Sequence, residues 1–99
     1  MTYEFFVASL AAPEPPAGVS DVLRGLWHAG RQEWNPAHQL AQANEQDALH
    51  NWLHAYLHRQ EGDLGNAAYW YRRAGRPVVT GPLVQEWEDM VRAQPDITS

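Results

Sequence analysis

The sequence predicts an all-α fold of about five helices around a helical hairpin at residues 47–74, with a short extended segment at the N-terminus. Three observations indicate this class. Apolar residues between positions 49 and 57 recur at spacings of three and four, which is one stripe of an α-helix. Gly62 and Asp63 then mark a helix end and a new start, because glycine accepts the left-handed conformation and aspartate is a good N-cap. Prolines and glycines divide the rest of the chain into short segments.

The two halves of this hairpin have matching apolar faces. The stripes consist of Leu49, Trp52, Leu53, Tyr56 and Leu57 in the first helix and of Leu64, Ala67, Ala68, Tyr71 and Ala74 in the second. The small alanines at 67 and 68 should face the first helix and let the two backbones approach closely. Gly75 and the proline two residues later end the hairpin.

The second half of the hairpin resembles a tetratricopeptide repeat. Gly62, Ala67, Tyr71 and Ala74 fall at the offsets where that repeat has glycine, alanine, an aromatic residue and alanine. The first half departs from it, because His54 and Ala55 stand where the repeat has a leucine–glycine pair. The strings AHQLAQ, HAYLHRQEGD and NAAYWYRRAG also resemble a family of short uncharacterised bacterial proteins. That resemblance covers residues 34–77 and implies no known activity.

The remaining elements flank the hairpin within a single domain, residues 1–99. Residues 1–18 should be extended and proline-rich, since the aromatic segment YEFFVASL is followed by three prolines and a glycine. Residues 19–93 form the helical body, with one helix capped by Ser20 or Asp21 and a second begun by Asn35 and Pro36. Pro82 opens a last amphipathic helix, and residues 94–99 should be a frayed tail.

Composition and charge exclude several classes of function. The 99 residues have a formal net charge of -5. This argues against binding to nucleic acid or to an anionic membrane surface, because Lys and Arg side chains bind both of these partners. No apolar run approaches the roughly 20 residues of a membrane span. The N-terminus lacks the basic start of a secretory signal, and there is no cysteine. We therefore expect a cytoplasmic protein that binds neither nucleic acid nor membrane.

Three histidines stand at four-residue steps along the first hairpin helix. His54 and His58 lie one turn apart and could share a metal ion, with Glu61 or His38 completing the shell. All of His50, His54 and His58 cannot bind one ion, because the outer two lie about 12 Å apart along the axis. The alternative is a polar helix flank whose imidazoles bond to neighbouring side chains. We favour that alternative and predict no metal and no cofactor.

Arginines and tryptophans also cluster in the hairpin. Arg73 lies with three further arginines near Tyr69 and Trp70, a composition that suits a small acidic or planar ligand. Internal pairing with the surplus acidic residues is the alternative that we favour. Trp27, Trp52 and Trp87 fall on apolar faces, whereas Trp34 and Trp70 fall at helix edges and could be interface residues.

Two functions of different class follow. The leading hypothesis is a non-enzymatic protein-interaction module that self-associates, as a homodimer or with another protein, through Phe5, Phe6, Trp34 and Trp70. The alternative is a small-molecule or metal-binding protein, possibly an enzyme, that uses His38, His54, His58, Glu61 and Arg73. No catalytic residue is predicted, since the sequence has no nucleophile elbow. Convergence of the second set in one site would favour the alternative.

Overall fold

The computed structural model describes residues 1–98, which hold six α-helices and no strand. The helices are α1 (Tyr3–Ser9), α2 (Asp21–Gly30), α3 (Trp34–Ala41), α4 (Ala48–Gln60), α5 (Leu64–Arg73) and α6 (Leu83–Arg92). The all-α prediction is confirmed. The helix count was wrong by one, because the N-terminal segment that we expected to be extended is helical.

Helix α1 forms because both a local cap and a distant ring support it. The Thr2 side chain accepts a hydrogen bond from the backbone N–H of Phe5 at 3.1 Å, which satisfies one orphan donor of the first turn. Phe6 is fully buried and stacks on Trp87 of α6, with ring centroids 6.0 Å apart. The chain therefore buries Phe6 of this segment against its own core, while Phe5 and Val7 stay exposed.

Helices α4 and α5 form the hairpin that the sequence predicts. Gly62 has φ +88°, the left-handed conformation expected at a helix end. Asp63 caps α5 by accepting a hydrogen bond from the backbone N–H of Asn66. Ala67 is buried, in keeping with a close approach of the two helices.

A buried carboxylate joins α6 to the hairpin. Glu86 is 2% exposed, yet it accepts hydrogen bonds from Trp52 Nε1 at 3.0 Å and from the Tyr71 hydroxyl at 2.5 Å. Its other oxygen accepts from Arg59 Nη1 at 2.8 Å, and a second nitrogen of this guanidinium donates to the Gly81 carbonyl. The carboxylate and its three partners form a polar network inside the apolar core.

The two chain ends meet. The backbone N–H of Thr98 donates to the Met1 carbonyl at 2.7 Å, and Gln94 and Ile97 are buried. Residues 94–98 of the predicted frayed tail thus make apolar contacts and backbone hydrogen bonds in this structure. The last residue of that predicted tail, Ser99, lies outside the described residues. Within residues 1–98, no helix combines the length and the apolar character that crossing a membrane requires.

Candidate functional site

Three histidines from two helices meet between α3 and α4. Asp47 caps α4 and fixes where this helix begins, so His54 and His58 lie one turn apart on the same face. Helix α3 packs against both α2 and α4, and its Ala37 and Ala41 are fully buried. His38, in the turn between these alanines, is thereby brought against both histidines of α4.

The imidazole nitrogens of this histidine cluster, His38, His54 and His58, converge on a small volume. Nε2 of His38 lies 3.1 Å from Nε2 of His54. One ring nitrogen from each of the three residues lies within 4.8 Å of the other two. His54 and His58 are buried, and His38 is partly exposed. The cluster therefore brings together three ring nitrogens of the kind that ligate metals, and solvent reaches it from the α3 side.

Two tryptophans flank the cluster. Trp34 stacks on His38 with centroids 4.6 Å apart and planes at 11°, and Trp70 stacks on His54 at 3.9 Å and 16°. The indole N–H of Trp34 donates to the carbonyl of Leu57 at 2.9 Å, which fixes this ring between α3 and α4. The imidazoles are thus held between flat apolar surfaces that limit their rotation.

Glu61 orients the third histidine. Its carboxylate lies 2.6 Å from Nδ1 of His58. A carboxylate can only accept, so Nδ1 carries the proton, and Nε2 of the neutral ring keeps its lone pair. This carboxylate–histidine pair is the arrangement that metal-ligating histidines commonly show.

Burial favours the neutral form of the other two imidazoles. It lowers the pKa of His54 to about 4, and the neighbouring His38 and His58 add to that effect. The pKa of His38 is lowered by burial and by the neighbouring His58. At neutral pH these rings therefore offer lone pairs. Nδ1 of His54 is buried without a hydrogen-bond partner in the described part of the chain, so this ring is not a fully satisfied core histidine.

Four of the five residues of the alternative hypothesis come together, and Arg73 is held elsewhere. Its guanidinium donates to the Glu45 carbonyl at 2.9 Å and to the Tyr69 hydroxyl at 3.1 Å, and its Cζ lies 5.3 Å from the centroid of Trp70. Cζ of Arg76 lies 3.4 Å from the ring centroid of Trp52, and Arg59 is paired with Glu86. Internal contacts therefore occupy these three guanidinium groups, but only Arg59, at 2.8 Å, and Arg73, at 4.0 Å, reach an acidic side chain.

The four interface candidates are scattered. Phe6 is fully buried and Trp70 is buried between helices, while Trp34 is half-buried against His38. Only Phe5 among the four is well exposed, at 60%. Self-association stays a prediction, and Phe5 is the residue of this set that could serve it.

The sequence did not lead us to expect that Trp34 and Trp70 stack on the histidines of the cluster. For Trp34 a signal existed, because residues 34 and 38 are four apart and therefore share one face of α3. For Trp70 no local signal existed, because its stacking on His54 depends on how α5 folds back on α4. The comparisons with known proteins add nothing to this geometry: no family model, curated protein or solved structure matches the chain.

Proposed function

We propose that the protein binds one divalent transition-metal ion through His38, His54 and His58. The observation that carries the proposal is the convergence of three imidazole nitrogens within 4.8 Å. Nitrogens about 2.0–2.1 Å from one tetrahedral ion lie about 3.3 Å apart. The His38–His54 pair, at 3.1 Å, already has nearly this spacing. Bringing in His58 requires a shift of no more than about 1.5 Å.

The donor set selects the class of metal. Imidazole suits zinc, copper, nickel and iron, whereas magnesium and calcium prefer oxygen ligands. Three protein ligands leave a fourth tetrahedral position for water or another small ligand. We propose zinc as the reference ion and binding, rather than catalysis, as the function. This proposal departs from the expectation of no metal that the sequence alone favoured.

Zinc titration of protein prepared without a histidine tag and stripped with chelator tests the proposal. Calorimetry should give one zinc per chain, and the double variant His54→Ala/His58→Ala should abolish that binding. His28→Ala is the matched control, because His28 lies in α2, is hydrogen-bonded to Glu33 just before α3 and is not part of the cluster. Circular dichroism spectra should show that each variant remains helical. Absence of zinc binding, or equal binding by the double variant, would refute the site.

Glu61 provides a second and milder test. Glu61→Gln should keep the three ligands but weaken the orientation of His58, so zinc affinity should fall about 10–100-fold. Glu45→Gln, on the exposed loop before α4, should leave the affinity unchanged. A Glu61→Gln variant with wild-type affinity would show that this carboxylate does not position His58 for a metal.

A further inference from the structure

A cavity lies away from the histidine cluster. It has a volume of about 530 Å³ and opens between α1, α2, α4 and α6. We call it the α1–α6 cleft. Val7 and Leu10 of α1 and Leu83 of α6 form its sides, and it reaches the buried rings of Tyr56 and Trp87. Its size lies within the range of small-molecule sites, and its walls are mostly apolar, as such sites require.

The lining of the α1–α6 cleft carries no formal charge at pH 7 among the described residues. This is notable in a chain with 19 acidic and arginine side chains. Two guanidinium groups contact lining residues, and both are already engaged: Arg31 donates to the Leu10 and Ala12 carbonyls, and Arg92 lies over the Tyr3 ring and is paired with Glu88 at 2.9 Å. A charged occupant would lose hydration without gaining a counter-charge, and that loss is costly. The cleft therefore selects for an uncharged molecule.

Neutral polar groups gather at one side of the cleft. The side-chain amides of Gln32 and Gln60 are hydrogen-bonded to each other at 3.3 Å, and both line the cleft. Burial raises the pKa of Tyr56 to about 12, so its phenol stays a neutral hydroxyl. Gln32 has φ +62° because it is the left-handed residue that ends α2, where the backbone N–H of Glu33 donates to the His28 carbonyl at 2.9 Å. Amides and a phenol can bond a hydroxyl or a carbonyl group.

We infer that the α1–α6 cleft binds a small uncharged amphipathic molecule, with an alkyl or aromatic body against Val7, Leu10 and Trp87 and a hydroxyl or carbonyl end at Gln32 and Gln60. The site is independent of the proposed metal site, because the two share no residue. A small molecule fits better than a second copy of this chain. The cleft reaches the buried rings of Tyr56 and Trp87, and a protein surface would bring charged groups to its uncharged lining.

A series of ten-carbon probes that differ only in their head group tests this inference. Nuclear magnetic resonance spectra of the full chain are recorded at pH 7 with 1-decanol, decanoate or decyltrimethylammonium. The neutral 1-decanol should shift the side-chain amide signals of Gln32 and Gln60 and the indole signal of Trp87. Each ionic probe should bind at least about tenfold more weakly, which corresponds to about 1.4 kcal/mol for the buried charge. Equal binding of all three probes, or shifts confined to other residues, would overturn the inference.

Filling the cleft provides the matched control. Val7→Trp should occupy the space between α1 and α6 and abolish the 1-decanol shifts. Val78→Trp places the same ring at an exposed site outside the cleft and should leave them unchanged. Val84→Trp, at the mouth where residue 84 is 74% exposed, is the substitute if Val7→Trp lowers the helical content. Retained binding in the folded filling variant, or cleft signals protected by dimerisation, would also overturn the inference.

Discussion

Removing the Glu86 carboxylate should strongly destabilise the fold, although this side chain is charged and lies on α6 among apolar neighbours. In Glu86→Ala, the charge of Arg59 and the donors of Trp52 and Tyr71 lose their acceptor at once. Arg59 has only 13% of its side chain exposed, so water cannot readily replace the carboxylate. Breaking a buried ion pair costs about 3–5 kcal/mol, and each unsatisfied donor adds about 1–3 kcal/mol.

The expected loss for Glu86→Ala is therefore at least about 4 kcal/mol, close to the whole stability of many small domains. Glu86→Gln keeps the shape and one acceptor oxygen but removes the charge, so it should cost about 2–3 kcal/mol. Urea unfolding followed by far-ultraviolet circular dichroism at pH 7 measures both. Glu88→Gln, two residues along the same helix, breaks only an exposed pair with Arg92 and should cost less than about 1 kcal/mol. Similar midpoints for the variants at 86 and 88 would refute the buried network.

Two further predictions concern packing and pH. Gly25→Ala should destabilise the protein by about 1–3 kcal/mol, because the added Cβ would lie 2.6 Å from Cδ2 of buried Leu53. Gly65→Ala has open space around it and should stabilise α5 by up to about 1 kcal/mol. Urea unfolding midpoints of the two variants measure this difference. Burial raises the pKa of Tyr56 from 10.0 to about 12, so its contribution is complete below pH 10 and is lost as pH rises through 12. That contribution is about 2–3 kcal/mol, half of it lost by pH 11. Tyr56→Phe should lessen the loss of stability between pH 8 and 11, and Tyr69→Phe, at an exposed ring, should not; equal losses in both variants would contradict it.

The parts of the fold that the sequence predicted have local causes. Ser20 and Asp63 cap their helices through bonds to the third residue after each cap, so short windows of sequence contain the signal. Helix α1 depends also on a contact between Phe6 and Trp87, which are 81 positions apart, and no local pattern predicts that contact. The tetratricopeptide-like arrangement of the hairpin stays a prediction.

The candidate site divides in the same way. The spacing of His54 and His58 follows from helical periodicity and was read correctly as one face. The approach of His38 depends on how α3 crosses α4, so the sequence could name it only as a possible ligand. Arg73 was a candidate ligand residue because its neighbours are aromatic, although internal pairing was the favoured alternative. Its bond to the Glu45 carbonyl, 28 residues away, is a tertiary contact that local composition could not reveal.

The stacked arginines affect the electric field around the molecule. All seven basic side chains are arginine, and Cζ of Arg73, Arg76 and Arg92 lies 5.3, 3.4 and 4.1 Å from the centroid of an aromatic ring. Their charge is spread against the protein surface, while the surplus of acid gives a net charge of -5. A small cation that diffuses toward the protein therefore meets an attractive potential before it meets any contact, and added salt should weaken that attraction. Lysine at these positions would instead extend its charge into solvent on a flexible stem and reduce that attraction.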